Sequence, residues 1–215
     1  MAVNAAPSLD EVMQDGPVIP VVVVDDVVQA VGLAHALVRG GVRVIELTLR
    51  TPVAFDAIAA IRREVPEAWV GAGTVLHADD VQRAQQAGAL FAVSPGFTPA
   101  LHAACTQWAL PWLPGVATAS EVMHALDAGL TRLKFFPAVP AGGVPLLRAW
   151  AGPLPQARFC PTGGIDVGNA AQFLQLPNVA CVGGSWLTPP ALLKAHDWPA
   201  ITALAQQARA LRGAA

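Results

Sequence analysis

A chain of 215 residues that is 54% hydrophobic and only 13% charged can bury a sizeable core and is too apolar for a disordered tail protein. Its formal net charge of -2 gives no electrostatic case for nucleic acid or an anionic membrane surface as partner. Three cysteines without a CxxC pair, Cys105, Cys160 and Cys181, predict a reduced, cytoplasmic protein in which they serve as packing residues.

The first sixteen residues, MAVNAAPSLDEVMQDG, lack the basic start and apolar core of a signal peptide. They are expected to be a helical N-terminal extension, residues 1–16, ahead of a single domain at 17–215. The run VIPVVVV is then cut off by Asp25 and Asp26, too short to span a membrane. Further runs rich in valine, isoleucine and phenylalanine begin near Val42, Trp69, Leu90, Pro111, Thr131, Arg158 and Val179. The segments between them have helical periodicity: Val53, Phe55, Ile58, Ile61 and Val65 recur roughly every three or four positions. Thr98 before Pro99 predicts a helix start, as does Thr118 with Glu121 in a capping box. Gly40, Gly88 and Gly129 are expected to stop helices in the left-handed conformation. Helices between successive strands require a parallel sheet covered by helices. Eight such units predict an α/β protein, a (β/α)8 TIM barrel. A doubly wound open sheet is the rival, weakened by the even spacing and by the lack of GxGxxG after the first strand.

In such a barrel the chemistry lies at the carboxyl ends of the strands. Those ends carry Glu46, Thr48 and Arg50; Thr74; Ser94 and Pro95; Lys134 and Phe136; Pro161-Thr162-Gly163-Gly164; and Gly183-Gly184-Ser185-Trp186. Only two of the 13 basic residues are lysines, Lys134 and Lys194, and Lys134 stands between Leu133 and Phe135. A lysine at a strand end most often snorkels or pairs with a carboxylate. A buried, poorly compensated lysine instead yields more free amine, which attacks carbonyls to form a Schiff base, as arginine cannot. Glu46 is either a proton-transfer partner for that lysine or a structural salt bridge to Arg50. Arg50 and Thr74 suit a substrate carboxylate, although a lone threonine there is also an ordinary turn residue. A single Gly-Gly is most often a turn, but two at consecutive strand exits point to phosphate. The five histidines show neither HxH nor HExxH spacing, so no metal is expected.

The runs GGVRVIELTLRT, PEAWVGAGTVL, FAVSPG, LKFFPA, FCPTGGI and CVGGSWL occur in the order seen in the bacterial 2-keto-3-deoxy-6-phosphogluconate aldolases, which the chain resembles from about residue 17 to its end. The resemblance implies a homotrimeric barrel and a metal-free class I aldolase that needs no cofactor. Its substrate would be 2-dehydro-3-deoxy-6-phosphogluconate of the Entner–Doudoroff pathway, with 4-hydroxy-2-oxoglutarate as a second substrate. It implies Lys134 as the Schiff-base lysine and Glu46 as general acid/base. Arg50 and Thr74 would hold the pyruvate carboxylate, and Gly163, Gly164, Gly184 and Ser185 the phosphate, with Pro95 and Phe136 shaping the pocket. One departure is Asp25-Asp26, where some relatives carry lysine or asparagine; relatives acting on the galactonate epimer tend to carry an arginine near that strand's end, and its absence here favours the gluconate epimer. A phosphosugar isomerase or epimerase using Glu46 as base, or a non-catalytic phosphate-ligand binder, remain the alternatives, and both leave Lys134 unexplained.

Overall fold

Runs of β-branched residues flanked by amphipathic segments favour strands buried on both faces. The structure, a computed structural model describing residues 7–211, arranges them as α1 (Leu9–Gln14), β1 (Val18–Val22), α2 (Val27–Arg39), β2 (Val44–Thr48), α3 (Ala54–Glu64), β3 (Trp69–Gly73), α4 (Ala78–Gln86), β4 (Ala92–Val93), α5 (Pro99–Gln107), β5 (Trp112–Leu113), β6 (Gly115–Val116), α6 (Ala119–Asp127), β7 (Arg132–Phe135), α7 (Gly143–Trp150), β8 (Arg158–Pro161), α8 (Ala170–Leu174), β9 (Val182–Gly184), α9 (Pro190–Ala195) and α10 (Trp198–Ala210). The strands pair in parallel in the orders β5-β4-β3-β2-β1-β9 and β6-β7-β8. β5 and β6 are halves of one strand interrupted at Pro114, which has no N–H to give the ladder; its carbonyl accepts the Lys134 N–H at 2.8 Å. Bridges Phe159↔Val179 and Thr162↔Gly183 join β8 to the β9 segment. With β9 paired to β1, the ring closes as an eight-stranded barrel.

Strand alternation separates two apolar layers. Ile45, Leu47, Val70, Leu133 and Phe135 face the helices and pack with Leu33, Leu37, Ile58 and Ile61. Ile19, Val44, Phe91, Val93, Leu113, Cys160 and Cys181 form a second cluster inside the barrel. Val12 and Met13 of α1 join that inner cluster, each 1% exposed, so α1 plugs the amino end of the barrel. Of the segment expected to be a helical extension, residues 1–6 lie outside the described residues. The three cysteines are buried and form no disulfide among the described residues.

Thr118 and Glu121 form a capping box on α6, and Thr98 caps α5 with Pro99 in the first turn. Gly88 and Gly129 are left-handed, at φ 85° and 79°. Gly40 departs from expectation: its φ is -80°, and Gly41 takes the left-handed turn at 83°. Gly40 is small for another reason. A Cβ there would lie 2.4 Å from the Ala205 side chain of α10.

Candidate active site

β7 reads Arg132-Leu133-Lys134-Phe135. Alternation sends Leu133 and Phe135 outward, where Phe135 meets Trp150 edge-on at 5.4 Å, and turns Arg132 and Lys134 inward. Arg132, at the amino end, pairs with Asp10 of α1 at 2.5 Å. Lys134 lies one pleat higher, and its Nζ donates to both carboxylate oxygens of Glu46, at 2.9 and 3.2 Å. The two residues are only 5% and 3% exposed. Room for the carboxylate comes from β3: a Cβ on Gly73 would sit 2.6 Å from Glu46 Oε1.

The poorly compensated lysine expected from sequence is therefore replaced by a close ion pair. In a low-dielectric interior a lone charge is far more costly than a matched pair. Transfer of one proton from Nζ to the carboxylate also leaves a pair without net charge. The geometry can thus yield a nucleophilic amine without burying an unmatched ion. Glu46 engages Lys134 rather than Arg50, whose Nε donates to Thr74 Oγ1 at 3.2 Å. Thr48, on the inner face with Glu46, is occupied structurally, donating to the Val22 carbonyl at 2.9 Å.

Thr74 adopts φ 58°, a left-handed conformation that is an outlier for a β-branched residue and costs about 1–3 kcal/mol. Hydrogen bonds on either side hold it there, Leu49 N–H to the Gly73 carbonyl at 2.8 Å and Val75 N–H to the Val93 carbonyl at 3.1 Å. Arg50 is exposed and Thr74 half-buried, so the pair sits at the mouth. The half-buried Phe136 ring has its centroid 5.4 Å from Lys134 Nζ. Pro95, exposed after β4, is held by its neighbours. Ser94 Oγ accepts from Trp112 Nε1 at 2.9 Å and donates to the Gly96 carbonyl at 2.7 Å.

The two glycine loops adjoin because β8 and β9 are neighbours. Gly163 and Gly164 are left-handed, at φ 102° and 75°; Gly164 and Ser185 are exposed and Gly184 is buried. One inner-face residue, named from sequence at its strand end, was given no role there. Thr162 is 6% exposed and lies two positions beyond Cys160, the register partner of Lys134. Its hydroxyl is therefore on the inner face one pleat above the lysine, and a Cβ on Gly183 would come within 2.2 Å of it. Alternation through Cys160-Pro161-Thr162 was the available signal. Gly73, the seat of the Glu46 carboxylate, was legible only as part of a glycine-rich run.

Among the described residues no group of three or more His, Cys, Asp or Glu side chains could hold a metal ion. No described helix is long and apolar enough to cross a membrane.

The family model for KDPG and KHG aldolase matches residues 9–204, starting within α1 and ahead of the sequence motifs. A KHG/KDPG aldolase of Escherichia coli (strain K12) is 52% identical over 205 residues, covering 95% of this chain and 96% of that protein. The KDPG aldolase from Legionella pneumophila, solved with pyruvate captured at low pH as a covalent carbinolamine intermediate, superposes with a TM-score of 0.92. It is 45% identical, covering 94% of this chain and 98% of its own. The 2-keto-3-deoxy-6-phosphogluconate aldolase of Zymomonas mobilis ZM4 with 3-phosphoglycerate gives a TM-score of 0.90 at 48% identity, covering 96% and 97% of the two chains.

Proposed function

The chain belongs to the KDPG and KHG aldolase family, which makes it a carbon–carbon lyase, and we propose that it cleaves 2-dehydro-3-deoxy-6-phosphogluconate through a Schiff base on Lys134. The observation that carries this reading is the buried two-pronged contact between Lys134 and Glu46. Lys134 passes a proton to Glu46 and attacks the C2 ketone, giving a carbinolamine. Glu46 returns that proton to the carbinolamine hydroxyl, which leaves as water, and the resulting iminium accepts the electron pair when the C3–C4 bond breaks. Glu46, directly or through a water, takes the C4 hydroxyl proton in that step. Glyceraldehyde 3-phosphate leaves; the enamine is protonated at C3, and hydrolysis of the resulting iminium releases pyruvate and restores the lysine. The carbinolamine captured in the Legionella relative supports this route.

Arg50 and Thr74 bind the carboxylate next to C2, the arginine by charge-assisted hydrogen bonds. Gly163, Gly164, Gly184 and Ser185 bind the distal phosphate through backbone N–H groups and the serine hydroxyl. Pro95 and Phe136 shape the pocket between them. 4-Hydroxy-2-oxoglutarate, which lacks the phosphate, uses the carboxylate half of the site and yields pyruvate and glyoxylate. The same reading has the enzyme acting in the cytoplasm, which three buried cysteines without a disulfide among them support. It also has the enzyme as a homotrimer, supported by apolar side chains such as Val28 and Met123, 76% and 56% exposed on the single chain.

The test is intact-protein mass spectrometry after pyruvate and sodium borohydride, on wild type and Lys134→Met. A stable pyruvyl adduct on Lys134, absent from the variant, is expected. A folded wild type that forms no adduct would overturn the Schiff-base reading in favour of an isomerase or epimerase using Glu46 as base, or of a non-catalytic phosphate-ligand binder.

A further inference from the structure

We infer that Lys194 is a specificity residue that meets the distal phosphate of the substrate, and that Asp25 is its opposing charge. The inference rests on the aldolase reading above. A cavity of about 340 Å³ lies between the ends of β1 and β9 and α9, and its wall includes Val21, Asp25, Gln29, Ser185, Thr188 and Lys194. Val21 is the register partner of Glu46 across the β1–β2 ladder, so it shares the inner face at the level of the reacting pair. Ser185 belongs to the phosphate loop. The cavity wall thus includes Val21, on the inner face at the level of the reacting pair, and Ser185, proposed above for the phosphate, and its charged groups are Asp25 and Lys194.

Their placement is built by one buried amide. Gln29 is 5% exposed; its Oε1 accepts the Asp25 N–H at 3.0 Å and its Nε2 donates to the Leu193 carbonyl at 3.3 Å. One side chain thus ties the backbone at Asp25 to the helix residue preceding Lys194. Both acid and base are exposed at the cavity rim. The chain's basic residues are otherwise all arginine, and both of its lysines sit at this end of the barrel. A compact ammonium on a flexible four-carbon stem can swing between a carboxylate and an incoming phosphate, whereas the short Asp25 side chain cannot follow it. A phosphate dianion draws Lys194 inward and is repelled by Asp25, so the two residues act on its affinity with opposite signs. The distal carboxylate of 4-hydroxy-2-oxoglutarate sits directly on C4, closer to the reacting carbons, and carries a single charge, so it feels both residues less than the phosphate does.

The test is steady-state cleavage of 2-dehydro-3-deoxy-6-phosphogluconate and of 4-hydroxy-2-oxoglutarate by wild type, Lys194→Gln, Lys194→Arg and Asp25→Asn. Each is run at about 20 mM and about 200 mM ionic strength, where screening differs strongly. At low salt Lys194→Gln is expected to raise KM for the phosphorylated substrate about fivefold, with kcat retained, so the ratio of kcat/KM for the two substrates falls. Lys194→Arg keeps most of the ratio, and Asp25→Asn lowers KM about twofold. All three differences shrink at high salt. An unchanged ratio in Lys194→Gln, or shifts of the same sign in Lys194→Gln and Asp25→Asn, would overturn the assignment. Failure of the aldolase reading is distinguishable: the wild type would cleave neither substrate and trap no pyruvate, and the inference would fall with it.

Discussion

Changing Lys134 to methionine keeps the length of the side chain but leaves the Glu46 carboxylate buried without its partner. Removing one member of a buried ion pair costs about 3–5 kcal/mol. For a chain of 215 residues each kcal/mol moves Tm by about 2–4 °C, so the variant is expected to melt about 6–20 °C below wild type. Adding Glu46→Gln removes the buried charge altogether, and the double variant should recover at least half of the lost Tm at pH 8. Thermal denaturation followed by circular dichroism at pH 8 checks both statements. If Lys134→Met melts within about 2 °C of wild type at pH 8, or the double variant melts no higher than the single one, the pair is not the closed, mutually neutralising unit described above.

The left-handed Thr74 predicts opposed effects on stability and binding. Thr74→Gly should raise stability by about 1 kcal/mol through strain relief while raising substrate KM about tenfold through loss of a hydroxyl donor to the carboxylate, measured by melting and by steady-state kinetics. Burial pushes the Cys105 thiol up to about 12 from its ordinary 9.0, so native protein should resist iodoacetamide at that site at pH 8. The linkage is that the stability it contributes is present below 9.0 and is lost as pH rises towards 12. Met13→Ala, which opens the plug at the amino end, should cost about 2–5 kcal/mol in urea denaturation. Hydrogen bonds from the Ser8 backbone and hydroxyl hold Glu11 below its usual 4.5, so the capping box of α1 stabilises above that value and is lost as pH falls through the lowered one. An NMR titration should find Glu11 moved back towards 4.5 in Ser8→Ala.

Alternation and capping are local properties, and they were legible along the whole chain. The Glu46-Leu47-Thr48 and Leu133-Lys134-Phe135 patterns identified inner-face residues, the turns after Gly88 and Gly129 followed from glycine, and the order of motifs carried the family resemblance. Contacts across the ring were not local. That Lys134 meets Glu46, 88 positions away, and that Arg50 meets Thr74 rather than Glu46, depends on how the strands stagger when the barrel closes. The same holds for the bare Cα of Gly73 beneath the carboxylate, for Gly40 against α10, and for α1 filling the amino end of the barrel. Sequence alone determined which side chains face inward, because a strand's period is a property of its own backbone. Tertiary structure decided which of them touch, because closure places strands distant in sequence around one buried interior, where a charge is stable only beside its opposite.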